Sequence, residues 1–267
     1  MELRDLQLKE LDILKECLKI FQKYNLRYFM LGGTFLGAVR HRGFIPWDDD
    51  IDIFMTRDDY ETFLSIMDQQ KNDKFKCLHY GKEFPNYFYR FAKVVDLETT
   101  LQEGNFISHK DMGIFVDVFP ADGIDIKKAE KHVKKIQYYS SMIIRSATNK
   151  ITRKDNPSLP KYLSKKILYP FIKLIGWKYW LKKHEKFVKS KKIKDYEYAT
   201  LYSGGWGMKE IFPKSYLNDT VYLDFEGHKF PAFKEYDKHL THLYGDYMTP
   251  PPPEKQITHH DFKIYKK

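Results

Sequence analysis

Asp50-Ile51-Asp52-Ile53 alternates charge with apolar bulk at a period that only an extended strand uses productively. Side chains two residues apart on a strand share a face. Ile51 and Ile53 therefore turn to a core while Asp50 and Asp52 project together, in a strand expected over Asp50–Phe54. Two carboxylates that close raise each other's pKa unless a cation stands between them. A hard, oxygen-seeking ion resolves the conflict and also takes phosphate oxygens. Mg²⁺ is the expected cofactor, with Mn²⁺ as the alternative.

The residues upstream point to the same chemistry. Arg27–Leu31 reads as a short buried strand, broken by Gly32-Gly33-Thr34, which leads into a helix over Phe35–His41 and a loop over Gly43–Trp47. Glycines between a strand and a helix let backbone N–H groups approach a phosphate, and the helix N-terminus favours its charge. A strand ending in Gly-Gly, a helix and an Asp-x-Asp strand form the layout of the nucleotidyltransferase fold. That fold usually draws a third carboxylate from a later strand. Asp117 interrupts the apolar run Ile114–Phe119, where a charge is costly unless paired or metal-bound. Asp50, Asp52 and Asp117 are the expected metal-binding and catalytic set. Asp48 and Asp49 read more simply as loop residues, Asp48 as a cap.

The rest of the chain reads as α+β. A mixed sheet with flanking helices is expected over 1–126, a basic helical region over 127–194, and a C-terminal region completing the active-site cleft over 195–267. Amphipathic periodicity marks a helix over 5–24 and another over 58–69. Further strands are expected at 75–79, 87–95 and 114–119, the last ended by Pro120, so the sheet is confined to the first 120 residues. Helices follow at 127–148 and 162–192, with an interruption near Pro170 or Gly176, and at 236–244. Cys17 and Cys77, the only cysteines, read as reduced core residues. The charged start MELRDLQLKELDILKE lacks a signal-type apolar core, and Ile167–Leu181 is too interrupted to span a bilayer. A cytoplasmic protein is expected, with a peripheral position on the inner membrane face as the variant of that reading.

Net charge is +10, but it is not spread evenly. Residues 127–194 hold 21 bases and 3 acids, for +18, while 1–126 carry −6 and 195–267 carry −2. That distribution argues against a surface that tracks nucleic acid throughout, and no nucleic-acid partner is expected. Within 161–194, Leu168, Phe171, Ile172, Ile175, Trp177, Trp180 and Leu181 are interleaved with 12 lysines. Two readings stand: a segment lying on an anionic membrane surface, or a packed helical pair whose lysines face water.

GGTFLGAVRHRGFIPWDDDIDI resembles the signature of the LicD family, whose members include bacterial phosphocholine transferases and whose relatives include fukutin and the fukutin-related protein. FAKVVDLETTL (91–101), GIFVDVFPADG (113–123) and LYGDYMTPPPPEKQITHH (243–260) are similar to later family blocks. The resemblance is strong over 1–125 and 200–260 and weak over the basic middle. It implies transfer of phosphocholine from CDP-choline to a glycan hydroxyl of a teichoic acid or lipopolysaccharide precursor on a lipid carrier, with release of CMP. By the same resemblance, Asp50 and Asp52 are the metal pair. Asp117 is a third acidic position, binding metal or taking the proton of the attacking hydroxyl, and Gly32, Gly33 and Thr34 lie against the donor phosphates. From their positions, Arg40, His41 and Arg42 could reach the diphosphate. Lys93, on an apolar strand, contacts either a phosphate or an aspartate.

A choline headgroup needs an aromatic cage, for which Trp47, Tyr202 and Trp206 are candidates. His259 and His260 read as surface histidines without an assigned role. Alternatives are another CDP-linked donor (ethanolamine, ribitol or glycerol), a true nucleotidyltransferase that releases pyrophosphate, and a non-enzymatic membrane-surface adaptor with a relict site.

Overall fold

The computed structural model describes residues 1–70, 72–81, 86–151, 158–258 and 262–266; His259 and His260 lie outside the described residues. Leu6, Leu14, Cys17 and Phe21 recur on one side of α1 (Leu3–Lys23) and are buried, which fixes this helix against the sheet. Asn25, in the left-handed region, turns the chain into β1 (Phe29–Met30). Then come α2 (Gly32–His41), β2 (Asp52–Thr56) and α3 (Arg57–Gln69). Thr56 caps α3, its hydroxyl accepting the Asp59 N–H, and Asp58 and Asp59 complement the positive helix start.

The next strands are β3 (Phe75–Leu78), β4 (Ala92–Asp96), β5 (Thr99–Glu103) and β6 (Phe115–Ile124). The basic region forms α4 (Ala129–Ala147), α5 (Leu159–Ile175) and α6 (Trp177–Val188). Of the two interruptions expected there, Gly176 is the one used: its φ of +80° suits glycine, while Pro170 stays within α5. The chain closes with β7 (Tyr198–Thr200), β8 (Ile211–Pro213), β9 (Thr220–Phe225), β10 (His228–Phe233), α7 (Tyr236–Tyr244) and β11 (Phe262–Lys266).

The main sheet is mixed, so the fold is α+β. Its order is β1-β2-β6-β4-β3, with β2 and β6 parallel and the other pairs antiparallel. It is not confined to the first 120 residues: β7 pairs with the far half of β6, and β8 with β7. Nor does Pro120 end its strand. The Asp117 N–H donates to the carbonyl of Ile51, just before β2, at 2.9 Å, so alternate residues, Pro120 among them, turn their nitrogens to the opposite side. On that side β4 pairs no further along β6 than Val118, and β7 begins at Asp122. The missing N–H falls in the gap between two partners, where a proline is tolerated. The strand expected at 87–95 shortens to β4, and the one expected from Asp50 begins at Asp52.

The core lies between this sheet, α1 and the C-terminal elements. Phe54 stacks on Phe29 at 5.3 Å between ring centres and also meets Phe212 and Phe233. Each buried phenylalanine contributes roughly 1.5–3 kcal/mol of transfer free energy. These contacts tie residues 211–233 to β1 and β2, and so place the C-terminal segment beside the Asp-rich loop.

Candidate active site

α2 and β2 meet at their ends through two backbone anchors. The Leu31 N–H donates to the Asp52 carbonyl at 3.0 Å, and the Asp52 N–H donates to the Thr34 hydroxyl at 2.9 Å. Thr34 is buried and spends its oxygen on this bond. It therefore aligns the helix start with the strand start. Gly32 has a φ of +55°, and a Cβ there would stand 3.2 Å from the Asp52 carboxylate. A Cβ on Gly33 would collide with the Asp48 carboxylate. The two glycines are required because carboxylates press on the backbone from both sides.

Asp48, Asp49 and Asp50 each offer an oxygen, and these oxygens lie within 4.8 Å of one another. Asp48 and Asp49, expected as loop residues, are buried at 6% and 2% exposure and belong to this group. Asp52 lines the same cleft as Asp48 and Asp50. Asp117 stands beside Asp52 in register, and Lys93 opposes Asp117 from β4, so the three form one row across adjacent strands. Lys93 donates to both Asp117 oxygens, at 2.8 and 2.9 Å, with its ammonium over the Phe115 ring. Of the two contacts open to Lys93, the structure shows the aspartate.

Burial first, then Asp50, Asp117 and Asp48, push the Asp52 carboxyl well above the usual carboxylate range, with Lys93 opposing. Behind the loop stands a residue that sequence reading passed over. Glu10 on α1 is 1% exposed, and its Oε2 has no hydrogen-bond partner among the described residues. Burial and the charges of Asp50, Asp49, Asp48 and Asp117 raise its pKa strongly. One helical turn earlier, Gln7 donates to the Asp48 carbonyl at 2.9 Å and anchors α1 under the loop. The signal was available: an acid on the apolar face of an amphipathic helix needs a polar neighbour. A donor set made only of carboxylate oxygens, self-repelling and short of cations, fits a hard divalent ion.

The cleft holds about 560 Å³ and is closed on its far side by the C-terminal segment. Arg40 lines it, donating from Nη1 to the Tyr247 carbonyl at 2.8 Å and from Nε to His41 Nε2 at 2.9 Å. Burial and Arg40 lower the His41 pKa, which keeps the ring neutral. Arg42 sits in a left-handed helix-ending position, exposed and outside the cleft lining. Of the three residues at 40–42, Arg40 lines the cleft. Lys255, not singled out from sequence, is a second cation on its wall.

Trp47 and Trp206 also line the cleft, joined by Tyr244 and Tyr247. Trp206 packs edge-on to Tyr244 at 5.1 Å. Burial and the charges of Asp52 and Asp48 raise the Tyr244 hydroxyl pKa, which registers how close the aromatic wall stands to the acids. Tyr202 belongs elsewhere: it is 4% exposed in a separate apolar cluster, and its hydroxyl faces the Gly123 carbonyl.

The family described as LicD/FKTN/FKRP, nucleotidyltransferase domain, matches residues 25–148. Along nearly its whole length, the chain is 32% identical to the lipopolysaccharide cholinephosphotransferase LicD of Haemophilus influenzae, covering 99% of this chain and 98% of that protein. The chain belongs to the LicD family. An uncharacterized protein of Rickettsia prowazekii is 34% identical over 104 residues, 39% of this chain and 35% of that protein. The matched family region of this chain spans α2, β2 and β6 and so contains the Asp-rich loop, whereas Trp206, Tyr244 and Lys255 lie beyond it.

Proposed function

We propose that this chain transfers phosphocholine from CDP-choline to a hydroxyl of a teichoic acid or lipopolysaccharide precursor, releasing CMP. One observation carries the reading: a single cleft is lined by Asp48, Asp50 and Asp52 and by Trp47, Trp206 and Tyr244. A quaternary ammonium has no hydrogen to donate and is held by aromatic faces, while the diphosphate beside it needs positive charge. The Haemophilus relative, named as a cholinephosphotransferase, supports the same choice.

Asp50 and Asp52, with Asp48 alongside, would hold Mg²⁺ or Mn²⁺, and the ion would neutralise phosphate charge. The backbone around Gly32 and Gly33 approaches the donor phosphates, and Arg40 and Lys255 receive the charge that develops on departing CMP. The acceptor oxygen forms a bond to the choline-bearing phosphorus as the bridge to the CMP phosphate breaks. The hydroxyl proton passes to a carboxylate of the cleft. Asp117, held by Lys93, acts on Asp52 from the adjacent strand. Such transfer depends on positioning and charge neutralisation more than on covalent help.

The basic region supports a membrane-side acceptor. Among the described residues no helix is long and apolar enough to cross a membrane. α5, however, exposes Ile167, Phe171 and Leu174 at 66%, 67% and 86% beside Lys166 and Lys173, a composition suited to lying on anionic lipid.

CMP release from a panel of CDP-linked donors, with metal and a glycan acceptor, tests the reaction. Turnover of CDP-choline with CMP as product is expected. Turnover of only another donor removes the choline assignment, and pyrophosphate release from a nucleotide donor removes the reaction class.

A further inference from the structure

A second cavity, of about 440 Å³, opens between α4, α5 and the loop 200–207. Its walls include Val133, Ile136, Ile144, Tyr169 and Leu201 together with Gln137, Ser140 and Thr200, and no acidic residue among the described residues lines it. Two guanidinium groups do. Arg90 donates from Nη2 to the Ser203 carbonyl at 3.2 Å, while its enclosed Nε has no hydrogen-bond partner among the described residues. Among the described residues no carboxylate joins Arg90 and Arg145 in the lining of this cavity. Burial alone lowers the Arg90 pKa, to about 10, with no anion opposing it. Arginines are normally retained inside proteins by paired acids. Two without an acid beside them, in a cavity whose other walls are neutral, leave the place of an anion to a ligand.

We infer that this cavity binds a phosphate group carried on an apolar chain, with Arg90 and Arg145 on the phosphate and the α4–α5 walls around the chain. Charge complementarity selects the head, since a guanidinium fork matches phosphate oxygens. The apolar side chains of the wall, Val133, Ile136, Ile144 and Leu201, select the body. Location adds a link to the acidic cleft. Gly204, Gly205 and Gly207 face this cavity, while Trp206 between them lines the cleft. One short loop is the partition between the two. If the proposed transfer reaction holds, a lipid phosphate seated here anchors the acceptor next to the donor.

The test uses the full chain without donor or metal, so its failure leaves the transfer reaction standing. Dodecyl phosphate, kept below its micelle concentration, is titrated calorimetrically against the protein, beside dodecyl maltoside and inorganic phosphate. Arg145→Gln removes one guanidinium from a partly exposed position, and Ser141→Phe fills the cavity while keeping both guanidinium groups in the chain; thermal melts establish that both variants fold. Dodecyl phosphate is expected to bind at least tenfold more tightly than either comparison compound. Each folded variant is expected to weaken it tenfold or more. Equal binding of the maltoside, equal binding of inorganic phosphate, absence of dodecyl phosphate binding, or unchanged affinity in both folded variants overturns the assignment.

Discussion

Lys93 on β4 and Asp117 on β6 face each other across an antiparallel pair, with the ammonium 2.8 and 2.9 Å from the two carboxylate oxygens. Their side chains are 3% and 8% exposed, so neither charge is hydrated enough to stand alone. Lys93→Met leaves Asp117 buried without its partner and should cost about 3–5 kcal/mol. Lys93→Met combined with Asp117→Leu should recover most of that loss. Urea denaturation of the two variants measures it; a cost below about 1 kcal/mol for Lys93→Met contradicts the pairing.

Asp50→Asn and Asp52→Asn keep the shape of the cleft and remove its charge. Turnover should fall on the order of 100-fold or more, the scale on which perturbing a metal site acts. Circular dichroism should stay that of the parent. Near-normal CMP release from either variant refutes the carboxylate-centred site.

Gly32 and Gly33 should fail in different ways. Gly32→Ala puts a Cβ on a residue at φ +55° and should cost about 1–2 kcal/mol of stability. Gly33→Ala keeps an ordinary backbone but drives a methyl into the Asp48 carboxylate. Its stability should change less than its activity, which should drop at least about tenfold, the effect expected of a small misplacement at a reacting centre. Paired melts and turnover assays separate the two; equal activity of Gly33→Ala and the parent removes Asp48 from the site.

Glu210 holds the loop between the two cavities, its Oε1 accepting the Trp206 N–H at 3.2 Å. Burial raises its pKa to about 7, the backbone hydrogen bond only partly opposing. A carboxyl raised on folding favours the folded state below its unfolded pKa, and that contribution is lost as pH rises through about 7. Glu210→Gln keeps an acceptor for Trp206 and removes the ionisation. The variant should match the parent near pH 4 and exceed it by roughly 2–3 kcal/mol at pH 8. A constant difference across that range, read by urea denaturation, contradicts the assignment.

Much of the site was legible in residues 31–55, where the period of two in Asp-Ile-Asp-Ile and the Gly-Gly break are local signals. The same local logic put Asp48 and Asp49 in a loop, where they lie, but gave no sign of their burial beside Asp50. Nothing near them in sequence shows that α1 covers the loop, with Gln7 on the Asp48 carbonyl and Glu10 close behind. Pro120 misled for a related reason: whether a proline ends a strand depends on which neighbour its nitrogen faces, and β7 lies some eighty residues away. Lys93 was open between two roles until the register of β4 on β6 decided it. Tyr202 and Trp206 looked equivalent as aromatics four residues apart, yet one packs beneath α6 and the other lines the cleft.

The sequence by itself determined the α+β class, the carboxylate-bearing strand and the helix start beside it, because strand alternation and helical periodicity act over a few residues. Only the tertiary structure decided which distant groups share a space. Lys255, Tyr244 and Trp206 come to the acidic loop, and Arg90 and Arg145 to one cavity, through packing of α4, α7 and the sheet. Those meetings follow from which apolar faces cover one another, and no run of neighbouring residues encodes that.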